Sequence, residues 1–138
     1  MDVLILIGRI LFAALFLPAA VNHFVNADAM AGYTQAQGVP AARAGVLGSG
    51  VLLLLGGLSV LLGIWPDLGA LLLAVFLVPT ALLMHAFWKE ADPQTKQLQQ
   101  VQFSKNIALT GASLMLIGLF AIAGDELGLV ITGPLFAS

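Results

Sequence analysis

Two short polar stretches hold most of the side chains that could bind a ligand. His85 and Trp88 end one long apolar segment, and Lys105 and Asn106 open the next one. A histidine can hydrogen-bond a quinone carbonyl or relay a proton near neutral pH. A lysine at the beginning of a helix favours an anionic lipid head group. The alternatives are structural: His85 terminates its helix, Lys105 anchors the chain at the membrane surface, and Asn106 hydrogen-bonds a neighbouring helix.

Three more polar residues belong to the first apolar segment or directly follow it. Asn22 and His23 come at its end, where a second histidine could join the same site. Arg9 lies inside the segment, where a charge is costly unless it reaches the surface or pairs. We expect its guanidinium to extend to the surface, to pair with Asp67 or Asp125, or to contact a lipid phosphate or an acidic partner. The candidate ligand-binding residues are His85, Trp88, Lys105, Asn106, Asn22, His23 and Arg9.

Other chemistries find little support in the residue types. The sequence has no serine beside a base, no pair of carboxylates in the middle of an apolar segment and no phosphate loop. Cysteine is absent and there are two histidines, too few for a histidine-based metal site. The residues therefore favour a protein without catalytic residues, without a metal and without catalytic activity of its own. A quinone is the one cofactor that they suggest.

The composition is that of a membrane protein. Hydrophobic residues make up 60% of the chain and charged residues 9%, and the mean hydropathy is +1.04. Soluble domains are about half apolar and about 25% charged, and a chain of 138 residues cannot bury this much apolar surface in one soluble core. The net charge of −2 gives no reason to expect nucleic acid binding. The bilayer must therefore solvate much of the chain.

Four apolar segments are each long enough to cross a hydrocarbon core of about 30 Å. The sequence predicts an all-α, integral membrane four-helix bundle of two tandem helical hairpins, forming a single domain over residues 1–138. The second segment is rich in glycine and serine, which let membrane helices approach closely. The predicted crossings are about 3–21, 45–64, 68–87 and 107–123.

Short interfacial helices are expected in the two long loops, 22–44 and 89–106. Asp28 is positioned to cap a short helix that Gly38 would end. Asp92, which precedes a proline, has the pattern of an N-cap followed by the first helical residue. The helix that follows Asp92 could run on into the fourth crossing.

The distribution of charges predicts the orientation. Four crossings bring both termini to one side of the membrane and both long loops to the other. The loop side carries Arg43, Lys89, Lys96 and Lys105, whereas the side with the termini carries Asp2, Asp67, Asp125 and Glu126. The positive-inside rule therefore predicts cytoplasmic long loops and both termini outside. The same topology brings the candidate residues other than Arg9 to one level, where they would form a polar cup with aromatic walls.

Several stretches, read together, are similar to a known family of membrane proteins. The sequence resembles the DoxX-like family of small four-helix bacterial membrane proteins, and the matching stretches follow one another in order over nearly the whole chain. They are Gly8–Phe12, Val21–Phe24, Gly38–Pro40, Gly56–Gly63, Val78–Trp88 and Phe103–Leu109. One position departs from the family pattern: Leu53 stands where many relatives carry a glutamate ahead of the double glycine.

The resemblance implies a four-helix bundle in the bacterial inner membrane. The family is named for a subunit of a thiosulfate:quinone or terminal quinol oxidase system, and some relatives look like partners in redox or oxidative-stress assemblies. Together with the residues, it favours a quinone- or lipid-binding accessory subunit of such a complex. Expected partners are membrane lipids, a quinone, subunits of the complex and further copies of this chain, but not nucleic acid.

Three other functions stay open at the level of sequence. A small oligomeric transporter or channel would need a water-accessible path, for which the helix centres offer only serine, threonine and glycine. An oxidoreductase in its own right would need residues that hold a redox cofactor. A structural or assembly protein would use its glycine-rich helix faces to grip a larger partner.

Overall fold

Five α-helices account for most of the chain. The computed structural model describes residues 1–136, and it is 82% helical with no β-strand in that part. The helices are α1 (Asp2–Val25), α2 (Ala27–Ala36), α3 (Ala42–Leu62), α4 (Pro66–Met84) and α5 (Pro93–Ala123). All except α2 are long and apolar enough to cross a membrane. The predicted all-α membrane fold with four crossings is confirmed.

The four long helices pack side by side in the order α1, α3, α4, α5. α3 lies between α1 and α4, and α5 packs against α4, whereas α1 and α5 have no extensive contact with each other. The shared core is formed by Phe16 of α1, Leu53 and Val60 of α3, and Leu73 and Leu77 of α4, none more than 2% exposed. The bundle is therefore open between its first and last crossings, and the short α2 packs mainly on α3.

Glycines in α3 allow the central helices to approach closely. A Cβ atom at Gly56 would lie 2.7 Å from Cγ of Leu73 and 3.0 Å from the carbonyl oxygen of Gly69, both in α4. On the adjacent face, a Cβ atom at Gly57 would lie 2.9 Å from Cδ2 of Leu17 in α1. The two neighbouring glycines therefore serve the two different contacts of α3, as expected for a glycine-rich membrane helix.

The fourth crossing starts earlier than the sequence predicts. α5 is one helix of 31 residues that begins at Pro93. The helix predicted after Asp92 therefore runs on into the fourth crossing, one of the two outcomes that the sequence left open, and it is not a separate interfacial helix. Asp92 caps the helix as expected, because its carboxylate accepts hydrogen bonds from the amide and the hydroxyl of Thr95. The glutamines and lysines that follow are good helix formers and no breaker separates them from the apolar segment. A 31-residue helix is about 46 Å long, well beyond a hydrocarbon core of about 30 Å.

The first long loop contains the expected short helix but differs in its details. α1 continues through Pro18 to its end, because a proline in a membrane helix removes only one hydrogen bond of the ladder. Asp28 lies within the first turn of α2 and does not cap it. Its carboxylate forms an ion pair with Arg43 instead. Gly38 has a φ of +84° and follows the helix end, as expected.

The last described residues fold back over the turn between α3 and α4. The amide of Ile131 donates to the carbonyl oxygen of Leu62, the last residue of α3. The carboxylate of Asp67, which is fully buried, accepts hydrogen bonds from the amides of Leu135 and Phe136. This tail closes the end of the bundle at which α1 begins, opposite the two long loops.

Candidate ligand-binding cavity

A cavity of about 440 Å³ lies among the long helices at the end of the bundle that carries the two long loops. All five helices contribute to its wall. Phe16, Leu53 and Leu77 belong both to this wall and to the buried core, so the deeper part of the cavity is apolar. The polar side chains in the wall are His23, Tyr33, Thr34, Ser49, Thr80, His85, Lys105 and Asn106.

The structure brings together four of the seven candidate residues. The four that line the cavity are His23, His85, Lys105 and Asn106. They come from α1, from the residue after α4, and from α5, so residues far apart in sequence meet in one wall. Asn22 and Trp88 are at the same end of the bundle but outside the wall, and Arg9 lies at the other end.

Asn106 presents its side chain to the cavity. Its side chain is 4% exposed and lines the cavity. The sequence predicts a partner on a neighbouring helix, but within residues 1–136 only its main-chain carbonyl is engaged, by the hydroxyl of Thr110. The carboxamide is therefore left with its two donors and its acceptor free. Among the described residues, the hydroxyl oxygen of Ser113 is the fully enclosed side-chain polar atom without a partner. The polar atoms of Asn106 are instead accessible from the cavity, where a head group with matching atoms can bind them.

His85 is oriented by a chain of two hydrogen bonds. Its Nδ1 lies 2.8 Å from Oε1 of Gln99, and Nε2 of Gln99 donates to the hydroxyl oxygen of Tyr33 at 3.1 Å. With the amide in this orientation its oxygen faces the imidazole, and an amide oxygen only accepts, so Nδ1 of His85 carries a hydrogen. In the neutral ring Nε2 is then a hydrogen-bond acceptor.

His23 has the same tautomer for a simpler reason. Its Nδ1 lies 2.7 Å from the carbonyl oxygen of Ala19, one turn earlier in α1. A carbonyl oxygen can only accept, so Nδ1 is the donor and Nε2 of the neutral ring is an acceptor. The ring also packs edge-on against Phe76 of α4, with the centroids 5.9 Å apart. The orientation of the imidazole is thus held from two sides.

Lys105 supplies the positive charge in the cavity wall. Its ammonium group donates one hydrogen bond of 2.7 Å to Oε1 of Gln102, one turn earlier in α5. Two further N–H donors remain for a ligand or for water. Among the described residues of the wall, Lys105 is the only lysine or arginine.

Trp88 belongs to an aromatic cluster beside the cavity. Its ring lies edge-to-face with Phe87 and with Phe103 of α5, at centroid distances of 5.2 and 5.6 Å. Phe87 and Phe103 also contact each other, at 5.4 Å. Phe87 and Trp88 form part of the short 3-10 turn Phe87–Lys89 that follows α4. The cluster therefore fixes the connection between α4 and α5 and so the position of His85.

Asn22 is engaged outside the cavity. Its amide group lies 3.6 Å from Sδ of Met30 in α2. Its side-chain oxygen accepts a hydrogen bond from Asn26, at the junction between α1 and α2. The residue therefore links the end of α1 to α2.

Arg9 is at the opposite end of the bundle from the cavity. Only 1% of its surface is exposed, and its guanidinium donates to the main-chain carbonyls of Val60, Leu61 and Leu129 over 2.7–2.9 Å. The expectations that it would extend to the membrane surface or pair with an aspartate are therefore wrong. Three main-chain carbonyls already accept hydrogen bonds from its guanidinium. Arg9 therefore has a structural role at the end of α3.

Two residues of the hydrogen-bond chain, Tyr33 and Gln99, were missing from the candidates. Gln99 lies seven positions before Asn106 in α5, a spacing of two turns that puts both side chains on one face. That spacing would have revealed Gln99 if the fourth crossing had been predicted to begin at Pro93. Tyr33 offered no comparable signal, because the position of α2 depends on how it packs on α3.

The wall offers hydrogen-bond donors and acceptors. Within residues 1–136, no three histidine, cysteine or acidic side chains come close enough together to hold a metal ion. The polar groups are two imidazoles, one carboxamide, one ammonium group and several hydroxyls. Such a set can fix a small polar head group whose apolar remainder occupies the deeper part of the cavity.

Comparison with known proteins agrees with the sequence resemblance. The family model DoxX matches residues 4–86, which is more than half of the chain and includes all cavity residues except those of α5. No curated protein and no solved structure matches the chain. The match and the four membrane-crossing helices lead to one conclusion: this chain is a multi-pass membrane protein that belongs to the DoxX family.

Proposed function

We propose that this DoxX-family protein binds a quinone-type ligand in its cavity and serves as an accessory subunit of a membrane redox complex. The observation that carries the proposal is the unpaired carboxamide of Asn106, buried to 4% exposure in the cavity wall. A quinone head group carries two oxygens on a flat apolar ring. One oxygen can accept a hydrogen bond from this amide while the ring and tail occupy the apolar floor.

The dimensions of the cavity support a ligand of this size. Ligand cavities in proteins have volumes of about 300–1,000 Å³ and are mostly apolar with a few polar groups. The cavity of about 440 Å³ fits this range. Leu53 is an apolar residue of the cavity wall with no exposed surface. An uncharged floor favours an apolar ring and tail over a charged solute.

The packing order of the helices supports access from the bilayer. α1 and α5 have no extensive contact with each other, yet Leu15 and Leu109 from these two helices both line the cavity. A hydrophobic ligand dissolved in the membrane can therefore approach between the first and last crossings. A water-soluble substrate has no need of such a route.

A phospholipid is the alternative ligand. Its phosphate would interact with Lys105, the single lysine or arginine in the described wall. A phosphate only accepts hydrogen bonds, as does a neutral imidazole at the nitrogen that faces a ligand. His23 and His85 would then present acceptors to a group that has no hydrogen to donate, so the wall is better suited to a head group with O–H donors, such as the reduced form of a quinone.

A transporter or channel finds less support. Below the cavity the core is filled by Val60, Leu73 and Phe120, whose side chains have no exposed surface. Beyond them, the end of the bundle is closed by the tail that packs over the α3–α4 turn. These buried apolar side chains and the tail separate the cavity from the opposite end of the bundle. Flux of small solutes in proteoliposomes would nevertheless favour the transport function if it required the cavity residues.

The same proposal puts the cavity end on the cytoplasmic face of the bacterial inner membrane. Four of the five basic residues lie at that end, together with Asp28, Glu90 and Asp92, whereas the loops and termini at the other end carry acidic residues and no basic ones. Positive charge is retained on the cytoplasmic side. At the C-terminus, a reporter that works only outside the cytoplasm should therefore be active. Activity of a reporter that works only in the cytoplasm would contradict this orientation.

The binding proposal is tested by extraction of ligand from the purified protein. Native-membrane nanodiscs containing the protein should yield about one quinone per chain by mass spectrometry. The oxidised and reduced forms of the ligand are counted together. The variants His85→Ala and Asn106→Leu should retain at most about a fifth as much, because the first loses an acceptor for an O–H of the reduced form and the second loses a donor to either form. Asn22→Ala is the matched control, since Asn22 lies at the same end of the bundle but outside the wall.

The possible results separate the ligand classes. A helical, folded protein without quinone would contradict the proposal, as would undiminished quinone in both cavity variants. One stoichiometric phospholipid in place of quinone would support the lipid alternative. For the accessory role, gentle purification from native membranes should yield a second protein with the visible absorbance of a haem or flavin, whereas this chain alone should have none.

A further inference from the structure

We infer that the cavity binds the reduced, hydroquinone form of its ligand more tightly than the oxidised quinone, and that His23 determines this preference. The inference rests on the proposed quinone-type ligand and adds the redox form to it. Both forms have nearly the same shape and apolar area. They differ in hydrogen bonding, because a hydroquinone has two O–H donors and a quinone has only carbonyl acceptors.

The hydrogen-bonding character of His23 is fixed by its own helix. Its Nδ1 donates to the carbonyl oxygen of Ala19 at 2.7 Å, and the edge-on contact with Phe76 holds the ring in place. The residue lines the cavity, and its Nε2 has no partner among residues 1–136. A neutral His23 therefore offers the cavity an acceptor and no donor.

His85 contributes in the same sense. Its Nδ1 donates to Oε1 of Gln99 at 2.8 Å, and Nε2 of the same amide donates to the hydroxyl oxygen of Tyr33. The remaining ring nitrogen, Nε2, is again an acceptor when the ring is neutral. Two imidazoles in one cavity wall thus present lone pairs to the ligand.

The two redox forms satisfy this wall to different extents. A hydroquinone can donate to an imidazole and still accept from Asn106 or Lys105, whose side chains supply donors. A quinone can accept from the same amide and ammonium group, but it leaves the imidazole acceptors facing its own oxygen lone pairs. An acceptor without a donor partner in a mostly apolar cavity is unfavourable. The reduced form therefore makes more favourable hydrogen bonds with this wall and should bind more tightly.

The test compares the affinities of one short-chain benzoquinone and its hydroquinone for the protein in nanodiscs. The reduced form is maintained under argon with a mild reductant, which leaves the protein unchanged because the chain has no cysteine. Hydroquinone should bind at least about fivefold more tightly, as expected from one additional hydrogen bond. An equal affinity, or a tighter quinone, would overturn the inference.

The variant His23→Phe assigns the preference to this residue. Phenylalanine keeps the ring that packs on Phe76 but removes the acceptor. The affinity for hydroquinone should fall about fivefold or more, and the affinity for quinone should stay the same or rise, because the acceptor that a quinone leaves unmatched is gone. Persistence of the preference in His23→Phe would overturn the role of His23. Should that variant fail to fold, His85→Phe provides the same comparison for the second imidazole, and an unchanged preference there would overturn the account of the two acceptors.

Asn106→Ala is the control for a merely structural effect. Its carboxamide can donate a hydrogen bond to an oxygen of either the quinone or the hydroquinone. The affinities for the two forms should therefore fall by similar factors, and their ratio should be preserved. The failure of the proposed function has a different result: neither form binds the native protein. As a second readout, a tenfold preference for the reduced form would raise the midpoint potential of the bound two-electron couple by about 30 mV.

Discussion

The guanidinium Nε of Arg9 donates a hydrogen bond of 2.8 Å to the carbonyl oxygen of Val60, in the last turn of α3. The last four carbonyls of a helix have no partner within the helix. Here all four are satisfied: Arg9 takes two of them, at residues 60 and 61. The amide of Gly63 bonds the carbonyl of Ser59, and the amide of Ile131 bonds that of Leu62. An arginine inside an apolar segment thus completes the end of another helix.

Replacing Arg9 by methionine should destabilise the fold by about 2–4 kcal/mol. The variant leaves the carbonyls of Val60 and Leu61 without partners in an apolar environment, where each unpaired group is expensive. Arg9→Lys should recover only part of the loss, since an ammonium group lacks the planar fork that reaches several carbonyls. Thermal unfolding in detergent measures the effect, and unchanged stability in Arg9→Met would contradict this role.

Replacing Gly56 by alanine should separate α3 from α4 at a cost of about 1–3 kcal/mol. The added Cβ would lie 3.0 Å from the carbonyl oxygen of Gly69, and a backbone atom of a packed helix cannot move aside easily. Gly118→Ala in α5 is the matched control, because nothing lies within 4 Å of its added Cβ. The control should be neutral or stabilising. Equal stability of the two variants would mean that the close approach has no energetic importance.

Removing the hydrogen bonds that hold His85 in place should weaken ligand binding without filling the cavity. Gln99→Leu disconnects the imidazole from Tyr33, and Tyr33→Phe removes the hydroxyl oxygen that accepts a hydrogen bond from the Gln99 amide. Each change should lower the affinity for the hydroquinone about two- to tenfold, because His85, whose Nε2 accepts from this form, loses one orienting hydrogen bond. The double variant should lose little more than either single one, because both act through the same imidazole. Additive losses, measured by titration in nanodiscs, would show that the two residues act separately.

Acid should loosen the start of α5. The amide and hydroxyl of Thr95 donate to the carboxylate of Asp92, and these hydrogen bonds lower the pKa of Asp92 below its ordinary value. A lowered pKa in the folded state means that the stabilisation is present above the ordinary aspartate pKa of about 3.9. It is lost as the pH falls through the lower, folded value.

Hydrogen exchange of the Thr95 amide provides the measurement. Its protection should be high near neutral pH and should fall, after correction for intrinsic exchange rates, once Asp92 is protonated. Asp92→Ala should have low protection at both pH values, because the cap is absent. Equal protection in the native protein and in this variant near neutral pH would contradict the capping role.

The four crossings, the caps at Gly38 and Asp92 and the polar level that holds His23, His85, Lys105 and Asn106 followed from the sequence alone. These features depend on local composition: apolar length decides what crosses a bilayer, and the ends of crossings collect polar residues. The start of α5 also depends on local sequence, because it requires only that the polar stretch before residue 107 be helical.

Tertiary structure decided what the polar residues do. Arg9 looks like a membrane anchor in sequence, but the end of α3 and residue Leu129, 120 positions away, convert it into a helix cap. Likewise, Gln99 and Tyr33 join His85 only because α2 and α5 pack against the same end of the bundle. Sequence gives the periodicity within one helix, whereas hydrogen bonds between helices depend on their relative rotation, which the packing of glycines and core side chains sets.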